Sequence, residues 1–250
     1  MILLISPAKT LDFKTNSIVT STSKACFIEE SDQLAKILQS FMPKDIKSLM
    51  GVSDKIADLN YERYQQWFEK GIMEKAAVYA FKGDVYAGLD VDTLKNTEYM
   101  QGHLRILSGI YGYLKPLDLM KAYRLEMGSK LSNPLGKDLY EFWGNKIADM
   151  LLNELESHRD KHIINLASNE YFKSVKSGLK NQKIITPVFK ENKNGDYRII
   201  SFFAKKARGL MSRYIIENNL QTPEGIKGFN YENYSFNEVL SNSTDWVFTR

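Results

Sequence analysis

Residues 1–5, MILLI, are apolar without interruption and stop at Ser6-Pro7. So short a run before a turn signal predicts a buried strand. Leu34, Ile37, Leu38 and Phe41 then recur at helical spacing toward a stop near Pro43. Residues 45–67 read as two short helices around Gly51. VYAF at 78–81 predicts a short strand ending at Lys82-Gly83-Asp84, and 102–113 a helix with Leu104, Leu107 and Tyr111 on one face. Leu139, Phe142, Trp143, Ile147, Leu151 and Leu155 mark a single long amphipathic helix. HIINLA at 162–167 has the near-continuous apolarity of a strand buried on both faces.

The C-terminal third is patterned as a hairpin, a helix and a strand. IITPVFK at 184–190 and YRIISFF at 197–203 flank ENKNGD, whose Asn194-Gly195 pair supplies the positive φ angles of a tight turn. A helix over 203–217 follows, with Phe203, Ala207, Leu210 and Tyr214 as its apolar stripe, and DWVFTR at 245–250 closes the chain as a strand. The mixed order predicts an α+β (mixed α/β) fold: a single compact unit over 1–250 with a central mixed sheet, surrounding helices and an embedded helical hairpin at about 45–67.

Composition narrows the class. With 250 residues, 43% hydrophobic and 12% aromatic, the chain can bury a substantial core. The opening segment lacks the basic region and small-residue cleavage site of a signal peptide, and no stretch approaches the roughly 18 apolar residues of a membrane span. A single cysteine, Cys26, excludes an internal disulfide, a cysteine zinc site and an iron–sulfur cluster on this chain's thiolates. That usage suits a reducing, cytoplasmic compartment.

The net charge of +4 is mild, but its distribution is uneven. Lys173, Lys176, Lys180, Lys183 and Lys190 fall in an acid-free stretch between Glu170 and Glu191. A second such stretch, 197–216, carries Arg198, Lys205, Lys206, Arg208 and Arg213. Two basic windows in succession favour an anionic partner over a plainly solvated surface. On a helical wheel Lys205, Lys206, Arg208 and Arg213 spread opposite the apolar stripe.

LMGVSDKIA at 49–57 has the pattern of a helix-hairpin-helix. Gly51 can take the positive φ of the turn, Val52 can plug between the helices, and Ser53 can cap the second helix. The free N–H groups of that helix's first turn, aided by Lys55, would receive a phosphate oxygen and recognise backbone rather than bases. An ordinary helical hairpin packing a core has the same pattern. Ser53 stands where many such motifs carry a second glycine, and Asp54 adds a negative charge.

Catalytic signatures are sparse. His103, His158 and His162 are the only imidazoles, and no nucleophile elbow or phosphate loop is present. Charged residues gather near predicted strand ends: Lys9, Lys82 with Asp84, Arg124 with Glu126, and Lys137 with Asp138. Ion pairing explains these as readily as function does.

The segments LISPAKTLDF, LMGVSDKIADLN, AFKGDVYAGL, LRILSGIYGYLKPLDLMKAYRLEMG, GKDLYEFWG, INLASNEYFKSV and ISFFAKKARGLMSRYIIEN together resemble the YaaA family, also catalogued as UPF0246 or DUF328, over essentially the whole chain. The resemblance implies a bacterial cytoplasmic protein of the peroxide-stress response that helps limit iron-driven oxidative damage. It also implies DNA binding through a positively charged cleft and a helix-hairpin-helix, which falls here on 49–57 with Gly51, Ser53 and Lys55 facing phosphate. No catalytic residue, cofactor or metal carries over.

Two readings follow. The first is a sequence-nonspecific DNA-binding protein, contacting duplex or distorted DNA through Gly51, Ser53, Lys55, Lys82, Arg124, Lys173, Lys176, Lys205, Lys206, Arg208 and Arg213. The second is an enzyme acting on a nucleotide or other phosphorylated substrate in a basic pocket built from Lys9, Lys82, Asp84, Arg124, Glu126 and the 205–213 segment. An extended cleft favours the first, a closed pocket with convergent titratable groups the second.

Overall fold

The computed structural model describes residues 1–15 and 21–250. Strand Ile2–Ile5 is wholly inaccessible to solvent, as its uninterrupted apolarity requires, and lies inside the main sheet. Leu104–Ser108 and Ile163–Leu166 flank it, both parallel to it. Ile184–Lys193 and Asp245–Thr249 extend the parallel set beyond Ile163–Leu166. Antiparallel strands Gly112–Leu114 and Ser235–Phe236 close the two ends, so the central sheet is mixed. Parallel pairing needs long crossovers, and the helices supply them while covering the sheet faces.

Four sequence expectations are corrected. The segment 78–81 is a helical turn, Ala77–Ala80, before the short strand Phe81–Lys82. The segment 102–113 is no helix: helix Thr97–His103 ends there, and Leu104–Ser108 is a central strand. A short apolar run satisfies both periodicities, and here Gly109 and Gly112, the latter at φ 67°, turn the chain into an antiparallel strand. The long helix is two, Leu139–Trp143 and Lys146–Leu155, broken at Gly144 with φ 49°. The second hairpin strand stops at Arg198, and residues 201–203 open helix Ser201–Glu217. The turn itself is as expected, with Asn194 at φ 57° and Gly195 at φ 92°. Strand Ile184–Lys193 joins the main sheet, whereas Asp196–Arg198, among the described residues, pairs only with Ile184–Lys193.

The connectivity creates a crevice. From Ile2–Ile5 the chain moves across the sheet toward Leu104–Ser108, but from Ile163–Leu166 it moves the opposite way, toward Ile184–Lys193. At such a switch point the outgoing loops part beyond the carboxyl ends of the strands, which is where open parallel sheets bind ligands. Ser6 and Ser168 stand at these two ends. Ser6 Oγ accepts from the Ser168 amide at 2.8 Å, and the two hydroxyls lie 3.3 Å apart.

Candidate functional site

A cavity of about 470 Å³ opens over this crevice, lined by 6–10, 82–86, 123–126, Ser168, Glu170, Tyr171, Lys205 and Arg208. Each wall has a local cause. Thr10–Leu11 pairs antiparallel with Phe81–Lys82, which sets Lys9 and Lys82 beside one another. The 123–126 segment is clamped by two hydroxyl bonds: Tyr64 Oη donates to the Arg124 carbonyl at 2.8 Å, and Tyr123 Oη meets Ser108 Oγ at 2.7 Å. Tyr86 Oη donates to the Ser6 carbonyl at 3.1 Å. Burial pushes the phenols of Tyr86, Tyr123 and Tyr171 upward, so all three remain protonated.

Helix Ser201–Glu217 supplies the last wall. Its buried stripe is Ala204, Ala207, Met211 and Ile215, turned by roughly a quarter of the wheel from the predicted Phe203/Leu210/Tyr214 stripe. The cause is close helix packing. A Cβ on Gly209 would sit 1.8 Å from the Val85 carbonyl oxygen, and one on Gly88 would sit 2.2 Å from that of Lys206. Helix Asp84–Leu89 therefore meets helix Ser201–Glu217 backbone to backbone, and the rotation brings Lys205 and Arg208 to the cavity.

The cavity holds five cationic side chains against three carboxylates, Asp84, Glu126 and Glu170. Glu126 Oε1 accepts a hydrogen bond from Arg124 Nε at 3.1 Å, lies 3.1 Å from Arg124 Nη2 in the same ion pair, and lies 3.4 Å from Lys9 Nζ. Glu170 Oε1 takes the Gly128 amide at 3.0 Å. Among the described residues, no carboxylate pairs with Lys82, Lys205 or Arg208. The half-buried guanidinium of Arg208 has its pKa lowered by desolvation alone. An unpaired cation removed from water favours any anion that can enter beside it.

The other basic residues predicted on 173–213 lie outside the cavity. Lys206 pairs with Glu232, and Arg213 binds Glu217 at 2.7 Å, Asp90 at 3.3 Å and Thr93 Oγ1 at 2.8 Å. Neither belongs to a free basic face. Lys173 sits 4.3 Å from the centre of the Tyr140 ring. Lys176 is exposed on helix Asn169–Lys176, outside the cavity. Two of the three imidazoles are hydrogen-bonded, His103 Nδ1 at 2.8 Å from the Met1 carbonyl and His162 Nδ1 at 2.8 Å from Asp160, and His158 packs edge-on against the His103 ring.

The helical hairpin forms as Pro43–Met50 and Asp54–Gln65, joined through Gly51 at φ 60°. Ser53 occupies the N-cap but, among the described residues, makes no side-chain capping bond, and Lys55 is exposed. Asp54 pairs with Lys47 at 2.8 Å, which neutralises a lysine on the same hairpin. The hairpin touches the cavity wall through Tyr64, whose hydroxyl holds Arg124.

Ser6, Ser168, Glu170 and the three tyrosines were not singled out as cavity residues by sequence reasoning. A signal existed for the serines, since each closely follows a buried parallel strand and the carboxyl ends of such strands carry sites. Glu170 and the tyrosines gave none, because their place depends on long-range packing.

Among the described residues, no helix is long and apolar enough to cross a membrane. The family model described as peroxide stress protein YaaA matches residues 1–240. A UPF0246 protein of Saccharophagus degradans is 52% identical over 255 residues, covering 100% of this chain and 99% of that protein. A UPF0246 protein of Alteromonas mediterranea is 50% identical over 254 residues, covering 100% and 98%.

Proposed function

Because the chain belongs to the peroxide stress protein YaaA family, we propose that its part in that response runs through the cavity at the sheet's switch point, as a binding site for a phosphate-bearing ligand. The observation that carries this is the unpaired, half-buried Arg208, facing the same space as Lys82 and Lys205. A guanidinium presents a planar fork of donors to phosphate, and lysines add mobile charge. The site is a bounded cavity with convergent titratable groups, which favours a ligand that enters over one that lies along a surface. The test is calorimetric titration with inorganic phosphate and with adenosine 5′-monophosphate. One ligand per chain is expected, with affinity falling as salt rises. No binding by either probe overturns the reading.

A second reading, sequence-independent DNA binding that helps limit iron-driven damage, is supported by the left-handed Gly51 between two helices and the uncapped helix start beside Lys55. Tyr64 ties this hairpin to Arg124, so one DNA strand could touch both places. Gly51→Val tests it. A Cβ there meets none of the described residues within 4 Å, so the cost is backbone strain alone. Strain of about 1 kcal/mol or more should lower Tm by roughly 2–4 °C in a chain of this size. Affinity for a duplex oligonucleotide should fall several-fold, while phosphate binding in the cavity stays unchanged. Unaltered oligonucleotide affinity removes the hairpin from the reading.

A further inference from the structure

Four of the large apolar side chains that the fold leaves exposed fall within seven residues: Tyr197, Ile199, Phe202 and Phe203. Single exposed apolar residues are ordinary, but a run of them marks a surface that something covers. Within this run the partners differ. The Arg250 guanidinium lies 4.9 Å from the centre of the Phe203 ring. Phe202 is 56% exposed, and its only aromatic or cationic partner among the described residues is the adjacent Phe203 ring, edge to face at 5.6 Å. Its place on helix Ser201–Glu217 ties it to the cavity. Residues three apart on a helix are surface neighbours, with Cβ atoms about 5–6 Å apart, so Phe202 adjoins Lys205 and Lys205 adjoins Arg208. Helical side chains lean toward the helix start, which carries the Lys205 side chain toward the turn of Phe202. The row thus passes from half-buried Arg208 through exposed Lys205, both on the cavity wall, to an exposed aromatic ring at the next turn.

Resting on the phosphate reading, we propose that Phe202 is the platform for the body of the ligand, and that the ligand is a phosphate monoester carrying a flat aromatic group, of the kind a nucleoside 5′-monophosphate represents. Its phosphate lies against Arg208 and Lys205, and its aromatic ring stacks on Phe202. A bare anion satisfies the cations and leaves the ring in water. An aliphatic chain gains little at an open rim, where only part of its surface leaves water. A planar group gains more, because one exposed ring face is enough for stacking. The role of Phe202 is recognition, and no bond is made or broken.

The experiment titrates the full chain with ribose 5-phosphate, adenosine 5′-monophosphate and hexyl phosphate. The nucleotide should bind about 5- to 100-fold more tightly than ribose 5-phosphate, the range that stacking a base on an aromatic side chain supplies, and more tightly than hexyl phosphate. Phe202→Ala should erase that advantage while the affinity for ribose 5-phosphate stays at the parental value. Phe202→Leu, which keeps apolar bulk and loses the ring, should erase most of it too. The side chain is exposed, so both variants should melt close to the parent. Circular dichroism checks folding, and if Phe202→Ala is unfolded the Leu variant decides. Equal affinity for the nucleotide and ribose 5-phosphate overturns this inference and leaves the phosphate site standing. An advantage that survives in the folded variants overturns it by placing the aromatic group on another wall, and tightest binding of hexyl phosphate overturns it by making the rim an aliphatic site. A parallel loss of ribose 5-phosphate affinity in the variants overturns it as well, since Phe202 then only supports the wall. Failure of all three probes with the parent removes the phosphate site, and this inference with it.

Discussion

Arg208→Gln should lower the affinity for inorganic phosphate and for adenosine 5′-monophosphate by roughly 100-fold, about 3 kcal/mol, and leave the fold intact. Arg208 is half-buried in the cavity wall with no carboxylate paired to it among the described residues, so desolvation of its charge is uncompensated until an anion arrives. Removing the charge therefore deletes the ligand's strongest partner and relieves an unfavourable burial. The variant should melt at the same temperature as the parent or slightly above it, the usual relation where a site is held at the expense of stability. Arg208→Lys retains charge but loses the planar fork, and should recover only part of the binding. Calorimetry gives the affinities. Melting with and without millimolar phosphate gives an independent reading, because ligand binding to the folded state raises Tm and that rise should vanish in the Gln variant. A folded Arg208→Gln protein with parental phosphate affinity would overturn the site.

The elements read correctly from sequence are those whose signal is local and unambiguous. The first strand and HIINLA are apolar on both faces because both faces are covered, and Asn194-Gly195 turns the hairpin because its φ angles require it. The errors fall where two patterns coexist. LRILS at 104–108 satisfies helix and strand alike, and only its pairing with Ile2–Ile5 decides. The 139–155 pattern keeps helical phase across Gly144, so the break is invisible in hydrophobicity.

For the site, sequence brought out Lys9, Lys82, Asp84, Arg124, Glu126 and the 205–213 segment as one candidate pocket, and the fold does place the first five with Lys205 and Arg208 around one cavity. What charge counting could not separate was Arg208 from Lys206 and Arg213. All three are cations on one helix, and acidic residues at 90, 217 and 232 decide which are neutralised. The apolar stripe misled for a related reason: hydrophobicity weights Phe203 and Leu210 heavily, yet Phe203 is 36% exposed while Ala204, Ala207 and Gly209 are buried. In a helix that packs by backbone contact, small residues mark the interface.

That packing carries the second large effect. Gly209→Ala should destabilise the protein by roughly 2–3 kcal/mol, a fall in Tm of about 5–10 °C, although alanine is the better helix former by about 1 kcal/mol. The added Cβ would lie 1.8 Å from the Val85 carbonyl oxygen and 2.7 Å from the Leu89 amide nitrogen, both backbone atoms that cannot rotate away. The helices must separate, and Gly88 on the opposing helix, similarly close to the Lys206 carbonyl, loses its contact too. Gly102→Ala is the matched control. It lies in helix Thr97–His103, where an added Cβ would meet none of the described residues within 4 Å, so it should be neutral or stabilising by up to about 1 kcal/mol. Because Arg208 adjoins Gly209 and Val85 adjoins Asp84, separating the helices also widens the cavity. Phosphate affinity in the Gly209→Ala protein, measured well below its Tm, should therefore fall at least several-fold with every charged group still present. Equal stability of the two alanine variants would mean that the helices do not cross at these glycines, and the placement of Arg208 in the cavity would fall with that crossing.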